Sequence, residues 1–225
     1  MSKGEVQYQS AIELIRGQGL QRMGFMSSWA FYDDPKRLAF TFARYKFAAK
    51  MLEGYDSVLE IGCADAFASR IVAQSVGKLT AVDFDPSFIA SARETMSPRW
   101  PIELREHDLM TGPVEREAFD AIYSLDVLEH IPADSEDVFL TNMFAALRGH
   151  GVAIIGMPSL QSQAYASAHS KEGHVNCKDQ RDFKRLMSRY FHSVFMFGMN
   201  DEVLHTGYHA MAHYNIALCS GLRHQ

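Results

Sequence analysis

Short apolar runs alternate with amphipathic segments through the middle of the chain. Residues typical of buried or half-buried strands occupy 58–61, 79–82, 101–106, 119–125 and 152–157. Segments with helical periodicity lie between some of these runs, at 87–95 and 135–147. This alternation predicts an α/β fold with a doubly wound, mostly parallel sheet.

The last quarter of the chain has a different pattern. Residues 178–190 are predicted to be helical, whereas 191–197 and 212–219 are predicted to be strands with no helix-length segment securely between them. Two such strands pair most simply as antiparallel neighbours at a sheet edge. The chain is therefore predicted to form a seven-stranded sheet whose last strand is antiparallel. The polar segment 161–172 is predicted to be a loop, and 148–151 a turn before a strand.

A long helix is predicted before the first strand. Asp33 or Asp34 ahead of Pro35 is a typical helix start, and the pattern continues to Gly54. Residues 1–26 are only weakly periodic, with a short helix expected near 11–15. We therefore expect residues 1–52 to form a helical extension or lid and residues 53–225 to form the main domain.

Composition narrows the class of protein. The 225 residues suffice for one domain with a substantial core. A net charge of −5 and the lack of a Lys/Arg run argue against a nucleic-acid substrate. Three scattered cysteines do not make a disulfide framework or a zinc finger, and they fit a reducing compartment. With no evident signal peptide or membrane span, we expect a soluble, cytoplasmic protein without a membrane partner.

The strand at 58–61 leads into a turn suited to a nucleotide-like ligand. It ends at Gly62, where small residues lead into a helix, so backbone N–H groups can approach a ligand closely. Asp83 ends the next strand, at the spacing expected of an acid that binds ribose hydroxyls. Phe67 replaces the third glycine of a dinucleotide fingerprint, which disfavours NAD and FAD. A strand–turn–helix without a ligand remains the alternative.

The same stretch resembles motif I of the class I S-adenosylmethionine (SAM) methyltransferases, an acid, one residue, and then Gly-x-Gly-x-Gly. Glu60 and Gly62 match that motif, while Ala64 and Ala66 stand where glycines are usual. Alanine there requires a negative φ or some backbone strain. The resemblance covers residues 52–219 and implies a Rossmann-like methyltransferase fold, with SAM as cofactor and S-adenosylhomocysteine (SAH) as product.

The resemblance also implies a set of cofactor-binding residues. The stretch from Glu60 to Ala64 would contact the methionine part of SAM, Asp83 the ribose, and Phe84 and Asp108 the adenine. The full expected set is Glu60, Gly62, Ala64, Asp83, Phe84, Asp108, Leu109 and Leu125. Asp83 as a helix cap and Asp108 as a turn residue are the structural alternatives.

A second motif runs from Leu125 through Asp126 to Glu129 and His130. It resembles the segment after motif IV in small-molecule O-methyltransferases of the ubiquinone-biosynthesis type. This implies that His130 faces the transferred methyl group and removes the acceptor's proton, a role that suits a group titrating near ~6.5. The alternative is that Glu129 and His130 cap a helix or pair with each other.

A metal site is a further alternative. Asp126, Glu129 and His130, joined by His174, offer oxygen and nitrogen ligands for Mg, Mn or Zn. Small-RNA 2′-O-methyltransferases with Glu-x-x-Glu-His at this place are associated with a divalent ion. Asp126 is one methylene shorter than the first glutamate of that pattern, so no metal ligand is assigned from the sequence.

Two polar segments near the end of the chain, 173–176 and 200–209, should lie over the ligand site. His205, His209 and His213 are spaced by four, as on one face of a helix. We therefore predict methyl transfer from SAM to a hydroxyl of a small molecule, a sugar or nucleotide-sugar, with His130, His174 and His205 as catalytic residues. The alternatives are N-methylation of a small amine and a non-catalytic nucleotide-binding protein of the same fold.

Overall fold

A computed structural model describes residues 5–223. Residues 1–4 of the predicted extension and residues 224–225 of the predicted main domain lie outside the described part. No helix within 5–223 has the length and apolar character needed to cross a membrane.

A single mixed sheet forms the centre of the molecule, in the order β3-β2-β1-β4-β5-β8-β6-β7. Strands β1 to β5 are parallel neighbours, and β8 is antiparallel to both β5 and β6. The strands are β1 Ser57–Ile61, β2 Lys78–Asp83, β3 Glu103–Glu106, β4 Phe119–Leu125, β5 Leu147–Pro158, β6 Phe191–Asn200, β7 Val203–His205 and β8 Tyr214–Leu222. The predicted mostly parallel sheet with an antiparallel last strand is confirmed.

The described sheet has eight strands rather than the predicted seven. The additional strand, β7, has three residues and pairs only with β6 at the sheet edge. A strand so short carries no readable alternation. The predicted turn at 148–151 is also wrong, because Leu147–Pro158 forms one strand with a register shift opposite β4.

Helices cover both faces of the sheet. They are α1 Val6–Gln18, α2 Phe25–Asp33, α3 Lys36–Met51, α4 Ser69–Ala73, α5 Pro86–Thr95, α6 Glu136–Ala145, α7 Ala168–Gly173 and α8 Gln180–Tyr190. The segment predicted as a loop contains α7 and a 3₁₀ turn at Gln161–Tyr165. The predicted helical stretch near 11–15 is part of the longer α1.

Two apolar clusters hold the helices to the two faces. On one face, α8 buries Phe183 and Met187 beside residues of α6. On the other, α3 buries Ala48 and Ala49 beside residues of α4 and α5. Because both faces are covered, the central strands β1, β2, β4 and β5 are mostly buried, which explains their hydrophobic runs. The carboxyl ends of β1, β2 and β4 are thereby left at one edge, where α2 also lies.

Candidate active site

The turn after β1 approaches its neighbours too closely for side chains. Gly62 has φ +78°, and a Cβ placed there would lie 2.2 Å from Cγ2 of Val127. The N–H groups of Gly62 and Cys63 both donate to the carbonyl oxygen of Val82, which fixes the turn against β2. Gly62 is thus required both by its backbone angle and by the space available.

Ala64 and Ala66 continue the turn with φ values of +47° and +52°. The sequence left open either a negative φ or backbone strain at these alanines, and the structure shows the strained, positive φ at both. A left-handed conformation costs a non-glycine residue about 1–2 kcal/mol. The turn therefore keeps the shape of a glycine-rich loop although only one glycine remains in it.

Asp83 faces the turn from the end of β2. Its carboxylate accepts hydrogen bonds from the backbone N–H groups of Ala64 (2.9 Å) and Asp85 (3.0 Å). Burial raises the pKa of this carboxyl, and the backbone hydrogen bonds act in the opposite direction. The cap of α5 is Asp85, which accepts from the N–H of Ser87 at 2.7 Å. Asp83 is therefore not the helix cap that was its structural alternative.

A first cavity of about 620 Å³ opens in front of this turn. Six of the eight expected cofactor-binding residues line it, namely Gly62, Ala64, Asp83, Phe84, Asp108 and Leu109. Asp126 and His130 close its far end. Asp108 also closes a turn by accepting from the N–H of Met110 at 2.8 Å, so it combines its turn role with a place on the cavity wall.

A second, smaller cavity of about 280 Å³ lies between the turn and α2. Leu125, the seventh expected residue, lines this cavity rather than the first. Gly62, Ala64, Asp126 and His130 border both cavities. The two spaces thus meet at the carboxyl ends of β1 and β4, the usual ligand position in an open α/β sheet.

Glu60, the eighth expected residue, is placed differently from the prediction. Its side chain is 1% exposed and accepts hydrogen bonds from the phenols of Tyr45 (2.6 Å) and Tyr123 (2.7 Å). Burial raises its pKa, and these hydrogen bonds oppose that shift. Glu60 therefore supports the turn from below by tying α3 to β1 and β4, and it does not line either cavity.

His130 lies in a 3₁₀ turn, Leu128–His130, directly after β4. Its Nδ1 is 2.8 Å from the carbonyl oxygen of Gly173. A carbonyl can only accept, so Nδ1 carries the hydrogen and Nε2 of the neutral ring carries the lone pair. The His174 ring packs edge-on against the His130 ring, with 5.3 Å between centroids. Burial, followed by the neighbouring His130, lowers the pKa of His174.

Glu129 is buried beneath the two imidazoles, and neither of its carboxylate oxygens has a hydrogen-bond partner among the described residues. Burial first, and then the negative charge of Asp126, raises its pKa well above the ordinary value. Glu129, His130 and His174 each offer a ligand atom, and these atoms lie within 4.8 Å of one another. An orphaned carboxylate and two imidazoles suit a divalent cation such as Mn²⁺ or Zn²⁺.

Asp126 does not join this cluster. Nη1 of Arg44 donates to both of its carboxylate oxygens, at 2.9 and 2.8 Å. The Arg44 guanidinium stacks on the Tyr214 ring at 3.8 Å from its centroid, and the Tyr214 phenol accepts from the Asp126 N–H. The carboxylate of Asp126 thus binds Arg44 of α3, and its backbone N–H binds Tyr214 of β8. It offers no ligand atom to the cluster of Glu129, His130 and His174.

His205 was predicted to be catalytic, and the structure places it away from the cavities. It lies on β7, where Nε2 contacts Oδ1 of Asn200 at 2.9 Å and Nδ1 accepts from the N–H of Gly207. The spacing of His205, His209 and His213 does not correspond to one face of a helix, because these residues occupy β7, a 3₁₀ turn and the loop before β8. Gly207 and the edge pairing of β7 prevent a continuous helix there.

Several residues of the site escaped sequence reasoning. Arg44 meets Asp126 across 82 positions of the chain, and Tyr45 meets Glu60 from a helix expected only to cover the pocket. Asp65 accepts from both the N–H and the hydroxyl of Ser27, at 2.7 and 2.9 Å, which ties α2 to the turn. The sequence indicated Asp65 only by its place inside the turn motif. No local pattern reveals contacts between residues so distant in sequence.

Comparison with known proteins agrees with this geometry. A family model described as a methyltransferase domain matches residues 58–151. A probable SAM-dependent methyltransferase of Mycolicibacterium smegmatis is 26% identical over 116 residues, covering 51% of this chain and 42% of that protein. An uncharacterized methyltransferase of Mycobacterium bovis is 33% identical over 78 residues, covering 35% and 39%. The chain thus spans less than half the length of the curated relatives it matches.

Solved structures show the same fold at low sequence identity. The methyltransferase domain of bacterial CtHen1-C superposes with a TM-score of 0.67 at 15% identity, covering 80% of this chain and 98% of that one. The DhpI–SAH complex gives 0.60 at 18% identity with 98% of each chain covered. The N-methyltransferase NodS of Bradyrhizobium japonicum, bound to SAH, gives 0.60 at 19% identity, covering 96% and 99%. Residues 58–151 thus match a methyltransferase domain, the chain is similar over part of its length to probable SAM-dependent methyltransferases, and its fold is that of solved SAM-dependent methyltransferases.

Proposed function

We propose that this protein transfers a methyl group from SAM to a hydroxyl group of a small molecule, a sugar or nucleotide-sugar. The observation that carries the proposal is the position of His130. It borders both the first and the second cavity, and its Nδ1–H is held by the Gly173 carbonyl, which leaves the lone pair of Nε2, 4.0 Å from Oε1 of the buried Glu129, to accept a proton. A hydroxyl is a poor nucleophile until its proton is removed, so a positioned base favours oxygen as the methyl acceptor.

The proposed mechanism uses the residues around the two cavities. SAM supplies a methyl group on a cationic sulfur that is open to attack by a nucleophile. Asp83 and the strained turn would hold the adenosyl part in the first cavity, and Asp126 places a carboxylate where the two cavities meet. His130 would accept the acceptor's proton at Nε2 while the cavity walls align the reacting atoms.

Replacement of His130 by Ala tests this role. With SAM and an accepted hydroxyl compound as substrates, the kcat for SAH formation should fall by roughly 10²–10⁴, because the hydroxyl proton must then be lost to water. SAH affinity, measured by titration calorimetry, should stay near wild type. His150→Ala is the matched control, since His150 lies at the start of β5 and its side chain is 78% exposed. An unchanged kcat in His130→Ala would remove His130 from the mechanism.

A divalent cation is the alternative use of the same groups. Glu129, His130 and His174 would hold it, and it would supply a positive charge that favours the ionised form of a nearby hydroxyl. His130 Nε2 cannot serve as ligand and base at once, so the two mechanisms exclude each other. Undiminished turnover in EDTA supports the base, and loss of turnover that Mn²⁺ restores supports the cation.

The acceptor atom needs a direct test, because NodS, of similar fold, is an N-methyltransferase. A panel of sugars, quinols and amines, with SAH release as the readout and mass spectrometry of the product, distinguishes the two reactions. We expect methyl transfer to oxygen. Turnover confined to the amines would replace this proposal with N-methylation, and absence of SAH binding would support a non-catalytic protein.

A further inference from the structure

A third cavity, of about 550 Å³, lies on the opposite side of the Arg44–Asp126 ion pair from the first two. It is lined by Arg44, Pro158, Ser162, Gln163, Tyr165, Ala166, His174, His213 and Tyr214. His174 contacts His130 edge-on, and Arg44 binds Asp126, so two pairs of side chains connect this cavity to the proposed transfer point. The cavity is therefore well placed to hold the acceptor.

The side chains on the wall of the third cavity include basic groups but no acidic ones among the described residues. Within the described part of the chain, no aspartate or glutamate lines this cavity, whereas a guanidinium and two imidazoles do. Ser162, Gln163 and Tyr165 add neutral polar groups. Nδ1–H of His174 donates to Oε1 of Gln163 at 2.9 Å, so Nε2 of the neutral ring carries the lone pair.

The ion pair separates charge between the cavities. Asp126 lines the first and second cavities but not the third, and Arg44 lines the third but not the first or second. Only Nη1 of Arg44 binds Asp126, and Nε is buried with no partner among residues 5–223. The negative end of the pair thus faces the space proposed for the cationic sulfur, and the positive end faces the third cavity. The left-handed backbone of Asp126, with φ +61°, is part of this arrangement.

We propose that the third cavity binds an anionic group of the acceptor, a carboxylate or a phosphate, next to the hydroxyl that is methylated. An anion there would meet the Arg44 guanidinium and the exposed His213 imidazole without an opposing carboxylate on the wall, and His174 would lie beside it as a neutral ring. The assignment of this anion to a methyl acceptor, and of the neighbouring reactive group to a hydroxyl, rests on the proposed function. The binding of an anion in the cavity stands independently of these assignments.

The first experiment measures anion binding in the full chain saturated with SAH. Inorganic phosphate and acetate are titrated separately, and the imidazole signals of His174 and His213 are followed by NMR. His213 is exposed, and His213→Asp and His213→Asn differ only in charge. We expect saturable shifts at both histidines in the wild type and a loss of affinity of at least about tenfold in His213→Asp relative to His213→Asn.

Equal affinities in the two variants, or no saturable shift at His174, would overturn the proposal. SAH affinity, measured in both variants, should match the wild type, because His213 borders neither of the first two cavities. Tighter binding of phosphate than of acetate would assign the anion as a phosphate, and the reverse order would assign a carboxylate.

The second experiment compares glucose, glucuronate and glucose 6-phosphate as acceptors, with SAH release as the readout. We expect kcat/KM for a charged compound to exceed that for glucose by at least about tenfold. A preference for glucose would overturn the inference. If phosphate binds at His174 and His213 while none of the three compounds is methylated, the hydroxyl-transfer proposal fails in this series and the anion site stands.

Discussion

Two neighbouring alanines in the turn after β1 differ in backbone angle and allow the strain there to be measured. Ala66 has φ +52° and is 6% exposed, while Ala68 has φ −73° and is 8% exposed. A left-handed angle costs alanine about 1–2 kcal/mol, and glycine avoids that cost at the expense of about 0.5–1 kcal/mol of chain entropy.

We predict that Ala66→Gly leaves the free energy of unfolding unchanged or raises it by up to about 1 kcal/mol, because relief of strain offsets the entropy. Ala68→Gly, at matched burial, should lower it by about 1 kcal/mol. Urea denaturation of the three proteins provides the comparison. Equal destabilisation by both substitutions would show that the turn stores no strain at Ala66.

Glu129 provides a prediction on pH. Its raised pKa means that the folded state binds a proton more tightly than the unfolded state does, so the stability due to protonated Glu129 is complete at acid pH. That stability is lost as pH rises from the ordinary glutamate value, ~4.3, through the folded-state pKa. In EDTA, the melting temperature of the wild type should therefore fall relative to that of Glu129→Gln as pH rises.

Glu53→Gln is the control for this measurement, because Glu53 lies on the surface, where its side chain is 64% exposed in an ion pair with Lys50. The difference between Glu53→Gln and the wild type should stay small over the same pH range. A flat difference for Glu129→Gln as well would mean that its carboxylate has partners when folded, and would contradict the raised pKa.

At the scale of elements, the side chain of Asp65 attaches α2 to the turn after β1. Asp65 caps this helix from outside by accepting both hydrogen bonds that Ser27 donates, and a Cβ on Gly24 would clash with it at 2.3 Å. Met26, one residue before Ser27, lines both of the first two cavities. We therefore propose that α2 is the lid expected within residues 1–52 and that Asp65 holds it in place over the two cavities.

We predict that Asp65→Ala weakens SAH binding and speeds amide hydrogen exchange in α2, because loss of an N-terminal cap costs a helix about 1 kcal/mol. Asp65→Asn keeps an acceptor oxygen and should restore most of both properties. Arg22→Ala serves as a control, since it removes an ion pair to Glu94 that is exposed on both sides. Normal SAH affinity and unchanged exchange in Asp65→Ala would refute the lid.

Elements with a strong local pattern were predictable from the sequence. The strands at 58–61 and 79–82 fall within the observed strands, and the predicted helix start near Pro35 agrees with α3 at Lys36–Met51. Features that depend on long-range pairing were not predictable. The strand β7 is paired with the edge that β6 offers, and residues 148–151 are the irregular part of β5 between Leu147 and Val152, which pair with Phe119 and Ala121 of β4.

The predictions for the site follow the same division. Gly62 and Asp83 were found because the chemistry of a strand-end turn requires them at fixed spacing, and both line the first cavity. Glu60 has the right spacing, but its side chain points to Tyr45, a contact that no motif reveals. Arg44 was missed because its role depends on an ion pair with Asp126, which lies 82 residues away on a different element.

At the scale of the whole molecule, the first and second cavities meet at Asp126, and the third is lined by Arg44, the ion-pair partner of Asp126. The turn after β1 and the end of β2 form the first, α2 closes the second, and the segment after β5 encloses the third. A cofactor in the first cavity and an acceptor anchored in the third would have to meet beside His130 and Asp126, with the acceptor hydroxyl directly opposite the methyl group. This account depends on SAM occupying the first cavity, where Asp83 lies.

Titration calorimetry with SAH tests that claim most directly. We predict binding with one SAH per chain, weakened by at least about tenfold in Asp83→Ala, because the ribose loses a charged hydrogen-bond partner. Asp85→Ala, which removes the neighbouring helix cap, should bind as the wild type does. No heat of binding in the wild type, or an affinity in Asp83→Ala equal to that of the wild type, would contradict the account.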